Sequence, residues 1–462
     1  MSDPEQHAAA EVMSRREFVQ GAGAAGAGLM LGVPALEGGQ DASGLESARA
    51  EARGSERSRD EIAVGIIGVG SQGYESLLNG SLKIPGVRFV AVCDIWPFWL
   101  RRAQKLLEKY DQKVNVYADY REMLDKEKNL DAVIVATPDW VHAEQTVAAL
   151  QAGKHVYCEK EMSNTLGGAR QMVQAARETG RLLQIGHQRR SNPRYWHAIK
   201  LIEKDRILGR ITHCYGQWNR ARLEERGCPK GEEIPAETLR RYGYENMHQH
   251  RNWRWYRKYS GGPMCDLGSH QVDVFNWILK ARPRAVLASG GTDYYKSEWY
   301  DNVMAIYEYQ TEAGPARAFY QVLNTTSHGG FYETFMGDEG SLVISEDPRK
   351  GLFFREVQAK RREWEAESET KEVEGREAFE LKIGETLSPD GTKEPEGQRL
   401  LEESKKPVHQ LHLENFFNAI RSGAPLSCPA EVGFETAVSV LKANEAVAKG
   451  CRVEFKAEEF AV

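Results

Sequence analysis

The stretch GIIGVGSQG, residues 65–73, constrains the fold of this chain more than any other. It overlaps the apolar run IAVGII (62–67) and sets Gly68, Gly70 and Gly73 at G-x-G-x-x-G spacing, with Ser71 and Gln72 between the last two. Glycines so placed let a strand turn sharply into a helix and let the backbone approach a pyrophosphate. The helix N-terminus favours that anion through its N–H groups and positive dipole end. A second β-rich run, VRFVAVC (87–93), ends at Asp94, 26 residues past Gly68. A carboxylate there accepts hydrogen bonds from ribose hydroxyls and repels a 2′-phosphate, so the spacing predicts NAD in preference to NADP.

The rhythm that follows supports a doubly wound parallel sheet. DAVIVAT (131–137), KHVYC (154–158) and LLQIG (182–186) have the content of buried strands, and PFWLRRAQKLLEKY and AEQTVAALQAG carry apolar residues at helical spacing between them. After Gly186 the pattern changes. ITHCYGQW (211–218), NVMAIYEY (302–309), ARAFYQVLN (316–324) and GSLVIS (340–345) alternate as strands of a sheet with one covered face. Two amphipathic helices, VHQLHLENFFNAIRSG and PAEVGFETAVSVLKANEAVAKG, close the chain. The expected organisation is therefore a dinucleotide domain over 61–186 and an α+β domain over 187–462. The charged stretch 356–407 is expected as a solvated insertion outside the core.

A net charge of −6, with acidic and basic residues interleaved, excludes a nucleic-acid footprint. The seven cysteines form no C-x-x-C pair and sit beside no zinc-spaced histidines, so no metal centre is expected. Beyond the N-terminus no apolar run has the roughly 18 residues of a membrane helix. At the N-terminus itself, Ser14-Arg15-Arg16-Glu17-Phe18-Val19 precedes a weakly hydrophobic stretch, Gly21 to Leu36, with Ala48-Arg49-Ala50 as a place for cleavage. This matches the twin-arginine signal pattern and predicts residues 1–60 as signal and linker. The twin-arginine machinery would be a partner and the periplasm the destination.

ATPDWVHA (136–143) and YCEKEMSNT (157–165) fall at the carboxyl ends of predicted strands, where ligands of open α/β sheets bind. GGPMCDLGSHQVDVFNWIL (261–279) then sets Asp266 and His270 four apart, on one helical face, with Asp273 further along. In these motifs the chain resembles the Gfo/Idh/MocA oxidoreductases, a family that takes its name in part from glucose-fructose oxidoreductase and inositol dehydrogenase. The likeness runs from about Ile62 to the C-terminal helices. It implies a Rossmann domain joined to a domain built on a large, mostly antiparallel sheet that often serves for oligomer contacts, hence a homo-oligomer. It also implies that Thr137, Pro138 and His142 line the nicotinamide half of the cofactor site, with Glu159 and Lys160 beside it. Where the family usually has Glu-Lys-Pro, this chain has Glu159-Lys160-Glu161. Lys160, Asp266 and His270 match the family's catalytic group.

Their roles follow from what alcohol oxidation needs. The hydroxyl proton must leave as the C–H bond breaks, which suits His270 as general base. The Lys160 ammonium stabilises charge developing on the carbinol oxygen, and Asp266 orients the imidazole or holds a neighbouring hydroxyl. NMHQHRNWRWYRKYSGG (246–262) places Trp253, Arg254 and Tyr256 together, either as a carbohydrate-binding loop or as a structural aromatic corner. GHQRRSNPRY (186–195) brings Gln188, and with it Arg189, toward the cofactor edge, although surface charge explains the arginines equally.

NAD is a cytoplasmic metabolite, so an exported enzyme has to carry it. The sequence is thus read as an exported oxidoreductase passing a hydride between tightly bound NAD and a secondary alcohol of a sugar or polyol. Two alternatives stay open: a redox-neutral glycosidase or epimerase working through a transient 3-keto sugar, and a non-catalytic sugar-binding or sensing protein.

Overall fold

Runs of β-branched and small apolar residues, buried along their whole length, build the first sheet. In the computed structural model, which describes residues 60–221, 225–366, 368–382 and 395–462, β1 (Ile62–Ile67) is buried at every position, as is β4 (Ala132–Val135). Continuous burial marks a strand covered by helices on both faces. With β2 (Val87–Cys93), β3 (Asn115–Tyr117), β5 (His155–Cys158) and β6 (Leu183–Ile185) they form a parallel sheet in the order β3-β2-β1-β4-β5-β6. The order reverses between β1 and β4, and ligands of such sheets bind beyond the carboxyl ends of the strands at that switch. The stretch read as an export signal lies outside the described residues. Among the described residues no helix is long and apolar enough to cross a membrane.

The second sheet contains β7 (Ile211–Asn219), β8 (Pro283–Gly291), β9 (Asn302–Thr311), β10 (Gly314–Leu323), β11 (Phe331–Gly337), β12 (Gly340–Ile344), β13 (Leu352–Arg355), β14 (Thr370–Val373), β15 (Arg376–Glu380) and β16 (Val453–Glu454). Its order is β14-β15-β13-β12-β11-β7-β10-β9-β8-β16, and only the β7/β10 pairing is parallel. Alternation is plain in β9: Val303, Ala305 and Tyr307 are buried, while Met304 and Ile306 face outward. The buried face packs on the helices Ser269–Leu279 and Ala430–Lys449.

One expectation needs correction. The charged stretch after 356 is not wholly outside the core: β14 and β15 extend the sheet edge, and Phe379 packs with Phe353 and Trp364. A few apolar residues among the charges suffice for an edge hairpin. The first domain also receives a segment from later in the chain. Helix Val408–Ser422 returns to it, burying Leu413, Phe416 and Phe417 in the core beneath β1 and β2. His412 Nε2 lies 2.9 Å from the Ile185 carbonyl, and Gln184 donates to the His412 carbonyl at 2.7 Å.

Candidate active site

Three glycines shape the turn after β1 in three different ways. Gly68 has φ +88°, and a Cβ there would stand 2.7 Å from the Ala136 backbone. Gly73 has room for none, since its Cβ would lie 2.0 Å from the Gly68 carbonyl oxygen. At Gly70 a Cβ would meet nothing within 4 Å, so the missing side chain leaves open space over the turn. Asp94, at the end of β2, accepts from the Val69 N–H at 2.9 Å and the Trp96 N–H at 2.8 Å. Burial pushes its carboxyl up to about 6, against the pull of those two N–H groups. An open turn at a helix start with a carboxylate alongside fits the pyrophosphate and ribose of a dinucleotide. Gly68, Gly70, Ser71, Gln72 and Asp94 line the cleft, whereas Gly73 packs behind it.

That cleft, about 1060 Å³, runs between the two sheets. Thr137, Pro138, Glu159, Lys160 and Gln188 line it on the β4 to β6 side, and the Gln188 Oε1 is buried without a hydrogen-bond partner. His142 does not reach it. Its ring lies behind the wall, with Nδ1 2.7 Å from the Glu161 carbonyl and Nε2 2.6 Å from the Thr137 carbonyl. Carbonyl oxygens only accept, so both ring nitrogens must donate, and His142 is an imidazolium. Burial alone would lower its pKa. The neighbouring Cys158 and Asp139 and the Glu161 carbonyl outweigh that and raise it to about 10. The expected cofactor contact is thus a clasp between the two loops that form the wall. Glu161, where the resemblance would have placed proline, is buried and follows a cis peptide bond; burial raises its carboxyl to about 8.

Lys160, Asp266 and His270 come together on this cleft from distant parts of the chain. The Lys160 ammonium donates to the Asp266 carbonyl oxygen and lies 3.5 Å from its Oδ1. Arg254 Nε donates to the same Oδ1 at 3.0 Å, and Arg220 stands 3.9 Å from Oδ2. Burial would raise the Asp266 carboxyl, but Arg254, Lys160 and Arg220 hold it well below the usual carboxylate range. Asp266 is not on the same α-helix as His270: it occupies a π-helical turn, Met264–Gly268, that runs into Ser269–Leu279. The His270 ring packs at a tilt against Trp218, centroids 5.3 Å apart, and its Nδ1 is buried without a partner. Burial, then the neighbouring Lys160 and Arg189 cations, depress it well below an ordinary histidine. Asp273 turns inward to Arg190, 2.9 Å away.

Of the aromatic loop, Trp253 and Arg254 line the cleft, the guanidinium 4.2 Å from the indole centroid. Tyr256 does not; its hydroxyl meets His248 Nδ1 at 2.7 Å and its ring packs toward Tyr259. Arg189 is fully buried against Glu333, away from the cofactor edge. Sequence reasoning missed His409, which enters from the helix Val408–Ser422 and sits 3.1 Å from Gln72 Nε2. No local motif marks it, because only the return of that helix to the first domain brings it there.

Residues 62–187 match the model of the oxidoreductase family with NAD-binding Rossmann fold, Gfo/Idh/MocA, and residues 195–343 match the Gfo/Idh/MocA C-terminal domain. The chain is 34% identical over 220 residues to inositol 2-dehydrogenase of Salmonella typhimurium, covering 47% of this chain and 54% of that one. It is 25% identical over 287 residues to scyllo-inositol 2-dehydrogenase (NAD(+)) of Bacillus subtilis, covering 62% and 74%. The chain spans about half the length of the first of these relatives. In fold it is similar to a levoglucosan dehydrogenase in complex with NADH, with TM-score 0.63, 19% identity, and 86% of this chain and 99% of that one covered. With both domains matched and the cradle in place, the chain belongs to the Gfo/Idh/MocA oxidoreductase family, NAD-binding Rossmann domain included.

Proposed function

We propose that this protein is a dehydrogenase that uses NAD to oxidise a secondary alcohol of a sugar or polyol. The observation that carries the reading is the convergence of Lys160, Asp266 and His270 on the same cleft as the glycine cradle and Asp94. NAD, when bound, supplies the acceptor for the hydride. Gly68, Gly70, Ser71, Gln72 and Asp94 would hold its pyrophosphate and ribose, and Thr137, Pro138, Glu159 and Gln188 would flank the nicotinamide. The His270 imidazole, on the cleft wall, takes the hydroxyl proton. Its depressed pKa keeps the imidazole neutral at neutral pH, with one ring nitrogen free to accept a proton, although a weaker base results. The Lys160 ammonium, held by Asp266, stabilises the oxygen as its proton departs. Trp253 supplies an apolar face and Arg254 a polar edge for a ring bearing hydroxyls. A panel of inositols and pyranoses with NAD-loaded protein tests this: at least one should reduce the bound nicotinamide, read by its absorbance, and none should do so with Lys160→Ala or His270→Ala. Failure to bind NAD at micromolar concentration would overturn it.

Three further elements belong to the proposal. The Ser14-Arg15-Arg16 pattern supports twin-arginine export to the periplasm, with NAD carried tightly bound. The outward face of the second sheet supports a homo-oligomer: Leu287, Met304 and Ile306 are 45%, 42% and 38% exposed there, an apolar patch on a broad sheet. The similarity to sugar-alcohol dehydrogenases supports a carbohydrate substrate.

A further inference from the structure

Alternate residues of β7 face the helix that carries His270. A Cβ at Gly216 would stand 2.8 Å from the Phe275 ring, and Trp218 packs against His270 itself. Arg220 is the next residue in that row. Its N–H donates to the Leu323 carbonyl at 2.9 Å, carrying the pairing with β10 one step past Asn219. The strand thus delivers a guanidinium to the cleft wall, two residues beyond the tryptophan that touches the imidazole.

Three cations meet at one carboxylate there. Lys160 Nζ lies 3.5 Å from Asp266 Oδ1, Arg254 Nε donates to the same oxygen at 3.0 Å, and Arg220 stands 3.9 Å from Oδ2. One negative charge does not balance three positive ones. The other carboxylates on this part of the cleft are engaged elsewhere: Glu159 accepts from Gln72 at 3.2 Å, Glu346 lies 3.5 Å from the buried Arg189, and Asp139 accepts from the Gly261 N–H at 3.3 Å. Lys160 and Asp266 are nearly enclosed, with side chains 12% and 13% exposed, whereas those of Arg254 and Arg220 are 41% and 49% exposed. At 3.9 Å Arg220 is beyond hydrogen-bond reach of Asp266, and Arg254 gives it only Nε. Both guanidiniums therefore keep N–H donors for whatever enters the cleft.

We propose that the alcohol oxidised here belongs to a sugar acid, whose carboxylate is bound by the N–H groups of Arg220 and Arg254. This rests on the dehydrogenase reading above and narrows its substrate. A neutral polyol would strip water from two guanidiniums and give neither a counter-charge, which is costly. A carboxylate supplies that charge, and its two oxygens match the planar fork of an arginine better than a hydroxyl does. Trp218 and Trp253 offer apolar surface beside the two guanidiniums for the rest of the ring.

The test uses full-length, NAD-loaded protein and a panel of aldoses, each with its uronic acid and its 6-phosphate. The second-order rate constant for reduction of the bound nicotinamide is read by absorbance. For at least one aldose the acid should react at least about tenfold faster than the neutral sugar, and added salt should shrink that ratio. Arg220→Gln should lower the ratio by roughly 10- to 100-fold, the loss of charged hydrogen bonds. Arg220→Lys, which keeps the charge without the fork, should restore part of it. Neutral sugars that react as fast as their acids in the wild type, or 6-phosphates that react faster than the acids, would overturn the sugar-acid proposal and leave the dehydrogenase reading intact. Loss of NAD binding in a folded Arg220→Gln would assign the guanidinium to the cofactor and overturn it as well. If no member of the panel reduces the nicotinamide, both readings fail together. The wild-type ratio decides the matter even where a variant does not fold.

Discussion

Lys160 and Asp266 stand 106 positions apart in the chain, yet the ammonium of one meets both the carbonyl and the carboxylate of the other. The contact ties the loop after β5 to the π-helical turn before the helix of His270, so one ion pair joins the two domains at the place where chemistry is expected. Asp266→Asn should leave Lys160 with a weaker tether. We expect kcat to fall by about 10²- to 10³-fold, the cost of disturbing one preorganised electrostatic group, with a smaller change in KM. Steady-state kinetics on a substrate of the wild type measures this.

The pH profile follows from His270. A base must be unprotonated to act, and burial with the surrounding cations lowers the pKa of this imidazole well below 6.5. Activity should therefore persist as the pH falls through 6.5, with the acidic limb of kcat/KM below that value. Lys160→Met removes the cation that contributes most after burial, so the limb of the residual activity should move to higher pH. A limb unmoved by the substitution would count against the assignment.

His142 should show two ring N–H groups in nitrogen-15 spectra from mildly acidic pH to about 9, because both nitrogens face carbonyl oxygens and its pKa is raised to about 10. A ring that loses a proton near pH 7 would contradict the clasp. His142→Ala leaves the Thr137 and Glu161 carbonyls without this donor. It should cost roughly 1.5–3 kcal/mol for each charged hydrogen bond lost, read by chemical denaturation.

The cradle glycines should separate under substitution. Gly73→Ala drives a methyl into the Gly68 carbonyl and should destabilise the protein by about 1–3 kcal/mol. Gly70→Ala meets nothing in the protein. It should leave the unfolding temperature of the nucleotide-free protein nearly unchanged while weakening NAD binding by about tenfold or more, since the methyl occupies the cradle. Calorimetry of both variants with and without NAD separates the two effects.

If the outward sheet face is an oligomer contact, Ile306→Glu should shift the sedimentation coefficient to that of a monomer without changing the circular dichroism. A charge buried without a partner in an interface costs several kcal/mol, enough to dissociate it.

The first sheet was legible because its strands are short apolar runs separated by helical periodicity, and the cradle because glycine spacing is a backbone requirement that sequence states directly. Asp266, His270 and Lys160 were legible only through motif resemblance; their spacing suggested one α-helical face, and the π-helical turn at Met264–Gly268 has no periodic signature. His142 was misplaced for a related reason. Position at the end of a strand says that a residue lies near the cleft, and it does not say whether the side chain points into it or behind it. The aromatic run 246–262 concealed two roles, since Trp253 faces the cleft while the rings of His250 and Tyr259 pack against Trp96 and Trp140 of the other domain. Such long-range pairings leave no trace in local composition.

The return of helix Val408–Ser422 has a consequence for how the protein is made. Phe416 packs against Tyr157 of β5, and His409 completes the wall beside Gln72. The nucleotide-binding half is therefore assembled from residues 62–187 and the distant helix Val408–Ser422, and it cannot be finished on the ribosome before that helix is made. A chain truncated before residue 408 would present a bare aromatic socket around Tyr157 where the longer chain has a wall.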